Sequence, residues 1–168
     1  MEEVRGSERF AIPGAGGLIR SMREGEEWIL VQERDKADAP AETGLIEIPA
    51  GKVRAFENIY DCLRREIREE TGYEVTRIEG EDQAVRIPMH GYEVLSYVPY
   101  ASSQNLQGDY PIMVQTFVCE VDGQPLEQSD ESRHIRWIRR SELAQLVRQE
   151  PARFYPMHLA TLTRYTAD

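Results

Sequence analysis

An α+β fold, with a mixed sheet and helices packed on its faces, is predicted by the order of element signals along the chain. Short strand-like segments separated by loops come first, and residues 58–70 then switch to helical periodicity. More strands follow, and two helical stretches close the sequence. A strict alternation of strand and helix is absent, which argues against a doubly wound parallel sheet. No internal repeat, low-complexity tract or long linker divides the chain, so residues 1–168 read as one domain, large enough to bury a real core.

The elements follow in order. "FAIPGAGGLIRS" and "EEWILVQER" read as a strand pair broken by "MREGE", with Gly25 suited to the turn. "RDKADAPAETG" is a polar loop, and "LIEIPAG" is a short strand ending at Pro49 and Gly51. The helix that follows has Asn58 as its cap, with Asp61 three residues on, and Gly72 as its stop. "AVRIP" and "YEVLSYVPY" form a hairpin turning at "MHG", and "SSQNLQGD" is read as a loop. "PIMVQTFVCEV" is a long strand by its β-branched and aromatic content, and "RHIRWI" is a short alternating one. Ser141 is placed as the cap of a helix through Arg148, and a last helix starts near Pro156.

Composition narrows the functions. Apolar content of 40% beside 30% charged residues fits a folded soluble domain and argues against disorder. The acidic N-terminus lacks the basic head and apolar run of a signal peptide. No segment approaches the ~20 apolar residues that a membrane helix needs. The expected location is the cytoplasm, with no membrane partner. A net charge of −10 repels polyanions, so nucleic acid is not an expected partner either. A small phosphate-bearing substrate stays open, because a divalent cation inverts the local field. Cys62 and Cys119 make no metal spacing and read as core residues, with a single bridge left open. His90, His134 and His158 are scattered, and each reads as a surface or satisfied residue. Gly14, Gly16 and Gly17 precede a strand where a dinucleotide loop would need a helix, so no such site is read there.

The chemistry concentrates in residues 51–73, "GKVRAFENIYDCLRREIREETGY". On a helix at ~100° per residue, Glu70 falls about 40° and Glu69 about −60° from Glu66, beside Ile59, Leu63 and Ile67. Arg64, Arg68 and Asp61 occupy the opposite side. Ion pairing at i±3 or i±4 is the ordinary reading of such a charge run. It leaves unexplained why these carboxylates sit on the packing side, where they are costly unless neutralised. A hard divalent cation, Mg²⁺ or Mn²⁺, removes the difficulty, and there is no His or Cys cluster to suit zinc.

The same stretch resembles the Nudix box, with Gly51, Glu57, Arg65, Glu66, Ile67, Glu69, Glu70 and Gly72 in register. Tyr73 stands where that box usually has an aliphatic residue. The resemblance implies a Nudix-type α/β/α sandwich and a hydrolase acting on a nucleoside diphosphate linked to another moiety. It also implies Glu66, Glu69, Glu70 and the Gly51 carbonyl as metal ligands, Arg65 as their orienting residue and Glu57 as a brace.

Substrate class is read from outside the box. "EIPAGK" resembles the ADP-ribose and nucleoside-diphosphate-sugar branch, with Pro88 and Pro99 as its candidate prolines. Diadenosine polyphosphates, damaged nucleoside triphosphates, and a non-catalytic ligand-binding module are the alternatives. A homodimer is left open, although only about ten residues precede the first strand, where that branch builds its dimer. Tyr92, Tyr97, Tyr100, Tyr110, Trp28 and Trp137 are candidates to stack on a base, with core packing the plainer role of each. For a general base, the loop "DGQPLEQSDES" offers Glu127, Asp130 and Glu131, with Glu131 preferred because it adjoins a strand. A solvated acidic turn is the plainer reading of that loop.

Overall fold

The computed structural model describes residues 8–167. Ten strands and three α-helices run in the order β1 (Ile12–Arg23), β2 (Glu26–Arg34), β3 (Ile46–Glu47), β4 (Ala50–Lys52), α1 (Ile59–Thr71), β5 (Glu74–Ile78), β6 (Val85–Met89), β7 (Tyr92–Ser96), β8 (Ala101–Gln104), β9 (Ile112–Asp122), β10 (Ser132–Arg139), α2 (Arg140–Gln149) and α3 (Pro156–Ala167). The main sheet follows the path β10-β2-β1-β9-β5, with β3 on β2, β4 on β1 and β8 on β9. It is mixed, because β1 and β9 run parallel while the other pairs are antiparallel.

Side-chain alternation sorts the core onto the two faces of this sheet. Ala15, Ile19 and Leu30 pack with Ile59, Leu63 and Ile67 of α1 on one face. Leu18, Ile29 and Val31 pack with Leu143, Val147 and Leu162 of α2 and α3 on the other. The α+β expectation and its α/β/α layering both hold.

The functional cleft owes its position to a change of partner along β1. Its first half, Gly14–Gly16, pairs with β4, and its second half, Arg20–Arg23, pairs with β2. Ile48 and Pro49 bridge β3 and β4 between these pairings, anchored by the Gly17 N–H donating to the Pro49 carbonyl at 2.9 Å. The single strand read in "LIEIPAG" is therefore two short strands.

Helix α1 begins and ends as its sequence predicts. The Asn58 side chain accepts from the Tyr60 N–H at 2.9 Å, and Gly72 closes the helix with φ of 81°. Three other expectations change. Strand β5 was not marked, and β8 was read as loop; β8's Ser-rich sequence has low strand propensity, and pairing with β9 overrides it. Helix α2 starts directly from β10 with Arg139 at its cap position and no side-chain cap bond, so Ser141 does not cap it. Cys62 and Cys119 are buried free thiols. Among the described residues, no helix is long and apolar enough to cross a membrane.

Gly72 resists replacement both by its backbone conformation and by its surroundings. A Cβ there would lie 2.8 Å from Leu126 Cγ and 3.0 Å from the Leu126 backbone nitrogen, at a left-handed φ. Gly72→Ala should lower unfolding free energy by at least ~1 kcal/mol, measured as a reduced urea midpoint at unchanged slope.

Candidate active site

Helix α1 turns its three glutamates toward the strands in graded fashion. Glu70 is buried at 4% exposure, Glu66 is partly buried, and Glu69 is exposed at the mouth. The approach of the helix to β4 depends on the missing side chain of Gly51, since a Cβ there would coincide with the Glu66 carboxyl group.

Arg65 binds this cluster together. Its Nε and Nη2 donate to both oxygens of Glu57 at 2.8 and 3.0 Å, and Nη2 also reaches the Lys52 carbonyl at 3.2 Å. Its Nη1 donates to Glu66 and, at 3.4 Å, to Glu69. The Arg65 hydrogen bonds hold the Glu57 carboxyl down at about 2, so it stays ionised and paired. Arg65 as orienting residue and Glu57 as brace thus have the contacts that those roles require.

Glu70 has different company. Its carboxylate accepts from Gln32 Nε2 at 2.7 Å and from the Ala50 N–H at 3.3 Å, and neither donor is a cation. Burial, then the neighbouring charge of Glu47, raises its pKa well above the usual carboxylate range. Burial likewise raises Glu66. Glu47, buried on β3, accepts from the same Gln32 nitrogen at 3.2 Å and pairs with Arg34 at 2.6 Å. Arg34 also bonds Glu42 and lies 3.7 Å over the Tyr155 ring.

Arg34, Glu42, Arg65 and the three glutamates of α1 line a cleft of about 820 Å³, within the range of small-molecule sites. The acids form one wall. Lys52, Arg54 and Tyr110 line it as well, with Lys52 Nζ 5.4 Å from the Tyr110 ring centre and no hydrogen bond on the Arg54 side chain among the described residues. Ile112, Val114 and Tyr155 supply apolar lining, and His158 lies edge-on to Tyr155. His158 is buried with an unpartnered Nδ1 among the described residues, and burial pushes its pKa down to about 3. It is therefore neither of the surface nor satisfied, as had been expected of it. His134 is exposed and bonds Glu33.

Of the acidic loop, Asp130 and Glu131 line the cleft and Glu127 does not. Glu131 accepts from Lys36 at 2.6 Å, and its backbone carbonyl accepts from the Asp35 N–H at 2.9 Å. Tyr110 is the one candidate stacking residue in the cleft lining. Tyr97 packs on Tyr60 and Phe117, Tyr100 faces Tyr165, and Trp137 donates to Tyr73 at 3.0 Å. That last bond accounts for the aromatic at residue 73, because an aliphatic side chain could not accept it.

The donor set suits a hard cation. A buried acid with only neutral donors, beside two further acids, is an oxygen-rich donor set. Among the described residues no three His, Cys, Asp or Glu side chains stand close enough together to hold a metal ion, and Arg65 bonds both Glu66 and Glu69.

No curated protein sequence is significantly similar to the chain. Solved structures are similar in fold. A MutT protein from Methanosarcina mazei Go1 is 19% identical, with a TM-score of 0.61 over 96% of this chain and 97% of that one. An Ap4A hydrolase from C. elegans is 16% identical, with a TM-score of 0.58 over 94% and 96%. A MutT/nudix family protein from Enterococcus faecalis is 15% identical, with a TM-score of 0.58 over 82% of this chain, which spans only 47% of that longer protein. The family model of the NUDIX domain matches residues 12–158, which contain the whole cleft. By that match, over an arrangement of acids, arginine and glycine built as described, the chain belongs to the Nudix hydrolase family.

Proposed function

We propose that the protein is a Mg²⁺- or Mn²⁺-dependent pyrophosphohydrolase cleaving a nucleoside diphosphate linked to a second moiety, with ADP-ribose or a nucleoside-diphosphate sugar as the leading substrate. The observation that carries this reading is Glu70, a fully buried carboxylate without a cationic neighbour in hydrogen-bond contact, at the base of a nucleotide-sized cleft. Glu66, Glu69 and Glu70 would hold the cation, with Gly51 beside them. Such an ion neutralises a diphosphate and lowers the pKa of bound water.

The chain's own residues do the rest. Arg65 keeps Glu66 and Glu69 aligned, and Glu57 keeps Arg65 in place. Gln32 and the Ala50 N–H fix the Glu70 oxygen. Lys52 and Arg54 provide charge for phosphates, while Tyr110, Ile112 and Val114 provide a surface for a nucleoside. Glu131, positioned by Lys36, would accept the proton of the water attacking phosphorus.

"EIPAGK" favours the ADP-ribose and nucleotide-sugar class. Diadenosine polyphosphate is the second reading, favoured by Lys52 and Arg54 standing two residues apart at one cleft, and by the Ap4A hydrolase among the similar folds. The decisive experiment is a panel of both substrate classes, and of oxidised nucleoside triphosphates, with products identified. A nucleoside monophosphate should appear with Mg²⁺ and vanish with chelator, fastest by kcat/KM from ADP-ribose or a nucleotide sugar. Preference for a polyphosphate would move the assignment to the second reading, and activity in metal-stripped protein would refute the cation's role.

Glu69→Gln and Glu70→Gln should each reduce kcat by more than the ~10–100-fold carried by outer partners of a metal ligand. Glu70→Gln should unfold at a higher temperature than wild type without metal, because it removes a buried carboxylate. A variant that merely unfolds would return these acids to a structural role. Glu131→Gln should cost about 10²-fold or more in kcat and abolish the acidic limb of the pH–rate profile, whereas Glu127→Gln should leave both unchanged.

A further inference from the structure

The hairpin β6–β7 carries an apolar face that nothing in the described chain covers. Its register pairs Val85 with Ser96, Ile87 with Val94 and Met89 with Tyr92. Residues directly opposite one another share a face, so these six lie together. Val85, Ile87, Met89, Tyr92 and Val94 are 52%, 47%, 60%, 73% and 49% exposed. The reverse face carries Arg86, bonded to Glu93, and Leu95, which packs against the α1 core. The apolar face therefore lies opposite the α1 core, and at its base Val85 and Ser96 border a second cleft with Arg77, Glu79 and Asp82.

The hairpin closes on a tight turn. His90 and Gly91 both have positive φ, 51° and 80°, as the tight turns matching strand twist require. Strands β6 and β7 pair with each other and with no other described strand.

We infer that this face is the contact surface between two copies of the chain, stacked face to face in inverted orientation about the Ile87–Val94 pair. Three observations select a second copy as occupant. The face contains no charged side chain, whereas a net charge of −10 sets the remaining surface against self-association. Its side chains grade from Met89 and Tyr92 at the tip to Val85 and Ser96 at the base, so inversion places large groups of one copy over small groups of the other. The five apolar residues expose roughly 500 Å² per copy, so a pair that covered them completely would reach the ~1,000 Å² lower bound of a specific interface.

The face lies apart from the cleft, since none of its residues lines it. This proposal therefore stands or falls independently of the hydrolase reading. The test is the mass of the full chain by sedimentation equilibrium, for wild type, Ile87→Glu and Ile87→Lys. Wild type should show twice the chain mass, and each variant the single mass with unchanged melting temperature. Because residue 87 faces its own copy across the twofold axis, mixing the two variants should restore the doubled mass. A monomeric wild type would assign the face to a different partner and overturn the proposal. A dimer that survives Ile87→Glu, or monomeric variants that fail to pair on mixing, would overturn it as well.

Discussion

A carboxyl group occupies the space where a side chain at residue 51 would stand, and the geometry of the cleft follows from that exchange. Gly51 lets α1 lie against β4, which brings Glu66 into the wall and carries Glu70 beneath it. Acids so placed repel one another and lose hydration, so the structure must compensate. It does so with Arg65 for Glu66 and Glu69, and with neutral donors for Glu70. The unequal compensation is informative. An arginine satisfied by Glu57 can release two partners without being left bare, while a buried carboxylate given only an amide and an N–H still lacks a positive charge.

A second polar chain meets the first at Gln32. From Glu70 it runs through Gln32 to Glu47, Arg34 and Glu42, crossing from the helix side of the cleft to the loop before β3. Arg34 in turn lies on Tyr155, beside the apolar lining. The acid wall and the wall suited to a nucleoside are thus joined by a chain of hydrogen bonds that ends in the Arg34–Tyr155 cation–π contact, which couples their positions.

Local signals were legible where one segment carried the whole message. Asn58 and Gly72 bound α1 because caps act within a few residues, and the glutamates border one cleft because helical period puts them on one side of α1. The strands β5 and β8 were harder, since both gain their conformation from β9, distant in sequence. Gln32, Arg34 and Glu47 were missed for the same reason: their partners lie on other elements. A trace existed in "EEWILVQER", where Leu30, Gln32 and Arg34 share one face by strand period, so polar groups stand at core positions. Tyr110 could not be separated from the other aromatics, because the chain gives no sign of which ring meets a cleft.

On the proposed function, Glu70 lacks a positive charge that a divalent ion would supply. Mn²⁺ binding followed by electron paramagnetic resonance, in wild type and in Glu70→Gln without substrate, measures this directly. Free Mn²⁺ signal should fall on titration into wild type, and the loss should be abolished or greatly weakened in Glu70→Gln. Equal binding by both proteins would contradict it.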